Sequence, residues 1–290
     1  MRLSLCTLSL TLLAAGATLQ AADCDRACLA GFVTQYLDAM VVHNPAKLPL
    51  SASLRFTEDG VDMKLGEGLW KNASKVRTYR EDVLDVPQGV AASRVVVEES
   101  GTPVLLAMRL KIADRKITEV ETQVTRTQKE GALFVLDTLQ TPGPMSTPLD
   151  KTQRTPREDL IKAALFYPAG LKIGSFVKVD APFASDAYRL ENGGRMAGKG
   201  CTRAGCEDIK GQKIMAHPGI STRVLAVDEE TGVVLLRMNF GQTSSYGEGN
   251  ALMCWEAFKI YGGQIHGVEA FMKIMPVGLG NGGWDTGAVN

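Results

Sequence analysis

Histidine is scarce: there are three, His43, His217 and His266, and no two stand at a metal-ligand spacing. The chain has no Gly-x-Ser-x-Gly elbow and no phosphate-cradling glycine loop ahead of a helix, so zinc hydrolase, serine hydrolase and nucleotide-binding chemistries lack their usual signatures. Charge of one sign is missing too. Lys plus Arg (32) cancels Asp plus Glu (32), with no block of like charges. That balance argues against nucleic acid and against an anionic membrane surface as partners. Beyond the first residues no stretch approaches the ~18 apolar residues of a membrane span, so no membrane anchor is expected. What remains is globular: 290 residues with 45% hydrophobic and 22% charged content, enough for two domains that each bury a core.

The amino terminus carries an address. Arg2 precedes a mostly apolar run from Leu3 to Leu13, small residues follow, and Ala21-Ala22 offer a cleavage point before Asp23. Residues 1–22 therefore read as a cleavable signal peptide, and the mature protein as secreted or periplasmic. Cys6 leaves with that segment. In an oxidising compartment Cys24 with Cys28, and Cys201 with Cys206, are expected to close two short disulfides, with metal binding as the alternative for each pair. Cys254, beside Trp255 in an apolar strand, reads as an inert core thiol.

Leu29, Phe32, Val33, Tyr36, Leu37, Met40 and Val41 recur at helical spacing, and Asn44-Pro45 ends that helix. Gly66 to Arg80 is read as leading into a short helical stretch. Strands are expected at 94–98, 104–112 and 117–125, giving a helix followed by an antiparallel meander. Residues 131–154, with Pro142, Gly143, Pro144 and Pro148, read as a linker in which Phe134-Val135-Leu136 could form a last strand. Thr155-Pro156-Arg157-Glu158 then has the pattern of a capping box opening a second helix. Residues 278–290 form a Gly-rich tail, read as flexible, with Trp284 as a side chain that could fold back.

The second half replays the first. Lys111-Ile112, Ile117 and Val120-Glu121 return 148 residues later as Lys259-Ile260, Ile265 and Val268-Glu269. Glu58-Asp59-Gly60 returns as Glu191-Asn192-Gly193, 133 residues on. Glu98-Glu99-Ser100-Gly101 returns as Glu229-Glu230-Thr231-Gly232, 131 residues on. Landmarks in one order with drifting offsets describe two homologous units, 23–130 and 155–277, with different insertions.

A leading amphipathic helix followed by a strongly curved antiparallel sheet, as carried by Leu29–Val41, the two Glu-Asx-Gly turns and the paired hairpins, resembles the NTF2-like cone-shaped α+β fold. The resemblance implies an α+β protein of two tandem NTF2-like domains. Enzymes of that superfamily, such as ketosteroid isomerase, scytalone dehydratase and limonene epoxide hydrolase, use the apolar cone as a pocket and need no cofactor; other members only bind ligands or dimerise. The implied ligand is an apolar or aromatic small molecule, with a homo-oligomer as a further expectation. Fold alone does not assign catalysis.

Four residues are the candidates for chemistry. Glu121 and Glu269 would act in proton transfer if aimed into an apolar cone; the alternative is cross-strand pairing with Lys111 and Lys259. Glu256 shares a strand face with Cys254, Phe258 and Ile260, and is a buried carboxylate if that face is inward. Tyr36 could donate to a developing oxyanion, or be core. Arg109 reads as a surface residue; Arg77, Tyr79 and Arg80 as a pocket rim or a helix cap. His43 suits a helix end, and His266 lies on the strand face opposite Glu269. The function expected is a cofactor-independent lyase, isomerase or dehydratase; the alternative is a non-catalytic binding or interaction module built as an internal pseudo-dimer.

Overall fold

A computed structural model describes residues 24–279 together with 283 and 284; the signal segment and most of the tail lie outside the described residues. Helix α1 (Arg26–Val41) is followed by β1 (Leu50–Glu58), β2 (Val61–Met63), β3 (Ala73–Asp85), β4 (Val90–Glu99), β5 (Thr102–Ala113) and β6 (Lys116–Thr125). After a short helix α2 (Gln128–Gly131) and the linker come α3 (Arg157–Ile173), β7 (Phe183–Glu191), β8 (Gly194–Ala197), β9 (Ser221–Asp228), β10 (Val233–Gln242), β11 (Asn250–Tyr261) and β12 (Gln264–Pro276). The result is an α+β protein of two tandem units. Each is one six-stranded sheet with one long helix, in the orders β2-β1-β6-β5-β4-β3 and β8-β7-β12-β11-β10-β9.

The meander is only part of each sheet. β3 to β6 and β9 to β12 run antiparallel, but β1 lies parallel to β6, and β7 parallel to β12. The Glu-Asx-Gly turns hold this arrangement. Asp59 and Asn192 adopt positive φ (54° and 43°), followed by Gly60 and Gly193, as a tight hairpin turn requires. Their backbone N–H groups donate to Thr122 O and Ala270 O, both at 2.9 Å. Their side-chain Oδ1 atoms accept from Val124 N at 2.9 Å and Met272 N at 2.8 Å. The repeated motif is thus the clasp that fixes each first strand beside the last one.

Both last hairpins close with two-residue turns at positive φ, Asp114-Arg115 and Gly262-Gly263. A register shift then follows at the same place in each: Lys111 opposes Glu119 while Ile112 opposes Ile117, and Lys259 opposes Gly267 while Ile260 opposes Ile265. The extra residues, Thr118 and His266, are β-bulges. They put Ile117 and Ile265 on the helix-facing side with Val120 and Val268, rather than with Glu121 and Glu269 as strict alternation would have it.

Three local expectations are corrected. Only Gly68–Lys71 is helical, as one short 3-10 turn, and Ala73–Asp85 is a strand. Its run of charges belongs to an edge strand, with register shifts between Ala73 and Lys75 and between Val76 and Arg80. Phe134-Val135-Leu136 forms no strand: Val135 N donates to Asn192 O, and a helical turn starts at Leu136. The capping box ahead of α3 does not form, because Arg157 N takes Glu229 Oε1 at 3.0 Å instead.

The helices align 131 residues apart, Leu29, Tyr36 and Met40 matching Leu160, Tyr167 and Leu171. Each packs into the concave face of its own sheet and forms that unit's core. The outer faces pack on each other: Val83, Ala92 and Leu105 of the first sheet meet Leu235, Trp255 and Phe271 of the second in a third apolar cluster.

This contact is reciprocal. Arg26 Nη1 reaches Asp228 Oδ1 at 2.7 Å, and its counterpart Arg157 reaches Asp85 at 2.7 and 2.8 Å. Leu84 N donates to Asp228 Oδ2 (3.3 Å) and Val227 N to Asp85 Oδ2 (2.9 Å). Arg94 pairs with Glu269 at 3.1 Å, and its counterpart Arg237 with Glu121 at 3.4 Å. Residue i touching j while the equivalent of j touches the equivalent of i is the mark of a two-fold interface, here within one chain.

Candidate functional site

The concave face of the second sheet is hollow. A cavity of about 330 Å³ opens there, with Glu256 on β11 at its floor beside Tyr167 of α3, Arg189 and Glu191 of β7, and Cys254. Burial raises the Glu256 carboxyl to about 8, helped by the nearby charge of Glu191; Arg189 and a hydrogen bond from Tyr167 pull the other way. At neutral pH the acid is therefore mostly protonated and can donate; above pH 8 it becomes a carboxylate of useful basicity. Arg189 Nη1 donates to the Tyr167 hydroxyl at 3.3 Å, its Nη2 to Gln212 Oε1 at 2.9 Å, and its Nε lies 3.0 Å from Glu191 Oε1. Burial pushes the Tyr167 phenol and the Cys254 thiol well above their ordinary values, so both stay protonated. The floor thus couples one protonated acid to a phenol and an arginine.

His217 completes one wall. It is 4% exposed, its ring meets Phe240 edge-on and stacks on Tyr246, and its Nδ1 has no partner among the described residues. Burial lowers its pKa, which favours the neutral ring. Above it, Arg203 and Lys213 stand at the mouth. Arg203 is carried by the Cys201–Cys206 loop; both this disulfide and Cys24–Cys28 are formed, so neither pair is free to hold a metal. Among the described residues no group of His, Cys, Asp and Glu is arranged to hold a metal ion.

The first unit differs at the equivalent positions. Met108 stands where Glu256 stands in the repeat. Trp70 and Leu69, each 1% exposed, occupy the space beside α1. Trp70 Nε1 donates to the Tyr36 hydroxyl at 2.8 Å, and the rings meet edge-on at 5.2 Å. Tyr36 is therefore a core residue whose oxygen is already engaged, not an oxyanion donor facing a pocket. The Nδ1 of His43 bonds the Trp70 carbonyl at 2.5 Å from outside.

Glu121 and Glu269 do not enter a cone. They lie on the outer faces, where the halves meet, because their strand parity opposes Val120 and Val268. Glu121 accepts from Arg223 Nη2 at 2.5 Å, and Glu269 accepts from Tyr188 OH at 2.6 Å and from Arg94. Neither pairs with the lysine opposite: Lys111 reaches Gln88 O and Lys259 reaches Thr147 O. Glu269 does border a second cavity of about 330 Å³, with Tyr79, Glu81, Pro142 and Tyr188. Glu81 there is raised to about 7 by burial, while Arg94 lowers it and Glu269 raises it.

The other residues singled out are accounted for by ordinary partners. Arg109 is half-buried on Glu119 at 2.7 Å, Arg77 binds Glu98 at 3.0 Å, and Arg80 is held by Asp82. His266 stacks on Tyr261 at 3.5 Å and faces Asp186. Trp284 folds back, its Nε1 donating to Thr57 Oγ1 at 2.9 Å under the guanidinium of Arg55. Of the sequence-derived candidates only Glu256 reaches the cavity of the second cone. Tyr167, Arg189, Glu191 and His217 were missed, although Tyr167 and Glu191 are the repeat partners of Tyr36 and Glu58.

A family model described as a domain of unknown function, DUF8021, matches residues 153–272, the unit that holds this cavity. No curated protein matches the chain. Among solved structures, a de novo designed protein with curved β-sheet is similar at 18% identity and a TM-score of 0.30, over 34% of this chain and 87% of the other. AclR, a candidate hydroxylase from Streptomyces galilaeus, is similar at 14% identity and a TM-score of 0.29, over 35% of this chain and 81% of the other.

Proposed function

We propose that the second unit is an NTF2-like small-molecule pocket, in a protein exported to an oxidising compartment, and that it moves a proton on an apolar or aromatic substrate. The observation that carries this reading is a buried, protonated glutamate on the floor of a cavity otherwise lined by Leu171, Phe240, Leu252 and Met272. Glu256 is the acid–base residue, Tyr167 and Arg189 set its proton affinity, and lyase, isomerase and dehydratase steps all fit one group that gives and takes a proton. The two short disulfides support the exported compartment.

The reciprocal contacts between halves favour a second reading, a non-catalytic binding module assembled as an internal pseudo-dimer. Thermal shift of the mature protein against aromatic and terpenoid ligands separates the two, because a ligand of the folded state raises the midpoint by mass action. On the enzyme reading, hits are converted by the parent and bound but not converted by Glu256→Gln. Equal conversion by both would sink the catalytic assignment; binding without conversion by either supports the binding module.

A further inference from the structure

The mouth of the Glu256 cavity has a charge its floor does not balance. Arg189 is engaged by Glu191, and Glu256 is neutral at physiological pH, so the floor carries no net charge for a ligand to answer. Arg203 and Lys213 border the same cavity. Among the described residues Arg203 contacts only Met196 Sδ, a weak acceptor, and neither cation is paired with a carboxylate. Two positive charges from two separate loops therefore converge on the opening of an apolar hollow. Arg203 is held there by the Cys201–Cys206 disulfide, which shortens the loop's reach. On the wall beneath, His217 Nδ1 is buried with no donor supplied by the chain.

We propose, resting on the reading of this cavity as a small-molecule site, that its ligand is an organic carboxylate: a ring or alicyclic body in the hollow, with its carboxylate between Arg203 and Lys213. A hydroxyl or amide N–H on the body would satisfy His217. A bare inorganic anion would leave the apolar walls unfilled, and a neutral hydrocarbon would leave both cations unanswered. Arginine offers a planar fork matched to a carboxylate, and lysine adds a point charge. Both are exposed, so the gain is moderate and depends on salt.

The test uses matched acid–amide pairs on phenyl, cyclohexyl and naphthyl bodies (3-phenylpropanoate against 3-phenylpropanamide is one), titrated calorimetrically into the mature full chain. At low salt at least one acid binds about five- to tenfold tighter than its amide, and 0.5 M salt removes most of that preference. Replacing both rim cations, Arg203→Gln with Lys213→Gln, removes the acid's advantage and leaves amide binding in place. The substitutions are at exposed positions, and a circular dichroism spectrum matching the parent verifies the fold. An amide bound as tightly as its acid, or an acid preference that survives the double substitution, overturns the carboxylate assignment while leaving the cavity reading intact. Inorganic phosphate binding as tightly as the best acid also overturns it. If no acid and no amide binds, the carboxylate assignment and the cavity reading fail together.

Discussion

Replacing Glu256 by glutamine should make the protein more stable at alkaline pH and change it little in mild acid. Glu256 is carried at about 8 in the folded protein, against an ordinary carboxyl value of 4.5. Between those values the unfolded chain has lost its proton and the folded chain has kept it, so stability falls as pH rises through the window and levels off above 8. At about 1.4 kcal/mol per pH unit, the group costs the fold roughly 3 kcal/mol by pH 7. Glutamine keeps the shape and a hydrogen-bonding head but never acquires the charge. The assay is urea denaturation of parent and variant at pH 5, 7 and 9. The stability difference, variant minus parent, should grow by a few kcal/mol from pH 5 to pH 9. Glu81, also raised by burial, adds a slope of its own, but it is present in both proteins and cancels in the difference. A difference that stays flat across this range would mean Glu256 is ionised in the fold, and the acid–base role would lose its basis.

Tyr167→Phe keeps the stacking with Phe176 and Phe258 but removes the phenol that lowers Glu256. The alkaline edge of the pH profile of activity or ligand binding should therefore move to higher pH, and stability should drop by about 1 kcal/mol. Asp85→Asn and Asp228→Asn each weaken one of two equivalent bridges between the halves. Each should cost about 1–3 kcal/mol in chemical denaturation, with similar values for the two, because the partners match residue for residue. Opening the Cys201–Cys206 loop by Cys201→Ser with Cys206→Ser should cost about 2 kcal/mol or less by the loop-entropy argument. The same change should weaken binding of an acidic ligand more than of its amide, since it frees Arg203; calorimetry on the two probes checks this.

How much of this could be read from the letters depended on the range of the interaction. The duplication was legible because its markers are tight turns, where Asp59, Asn192 and the glycines that follow them meet a backbone demand few residues satisfy. The two disulfides were legible because four or five residues of chain separate each pair. Strand parity failed at Thr118 and His266, where a bulge adds one residue without any composition signal. Glu121 and Glu269 were misplaced for a different reason. Their partners Arg223 and Arg94 come from the other half, more than 100 residues away, and nothing local distinguishes a glutamate facing a pocket from one facing a second domain. Tyr167 was within reach: the 131-residue step that carries Glu98 to Glu229 also carries Tyr36 to Tyr167.

Joining both partners of a symmetric pair in one polypeptide makes their association independent of dilution, and it also frees them from being identical. A true homodimer must carry every substitution twice, so an indole that plugs one barrel would plug both. Here Trp70 seals one side while Glu256 keeps the other chemically live. Fusion thus allows a division of labour, one half a solid buttress and the other a vessel, that no assembly of two equal copies can reach.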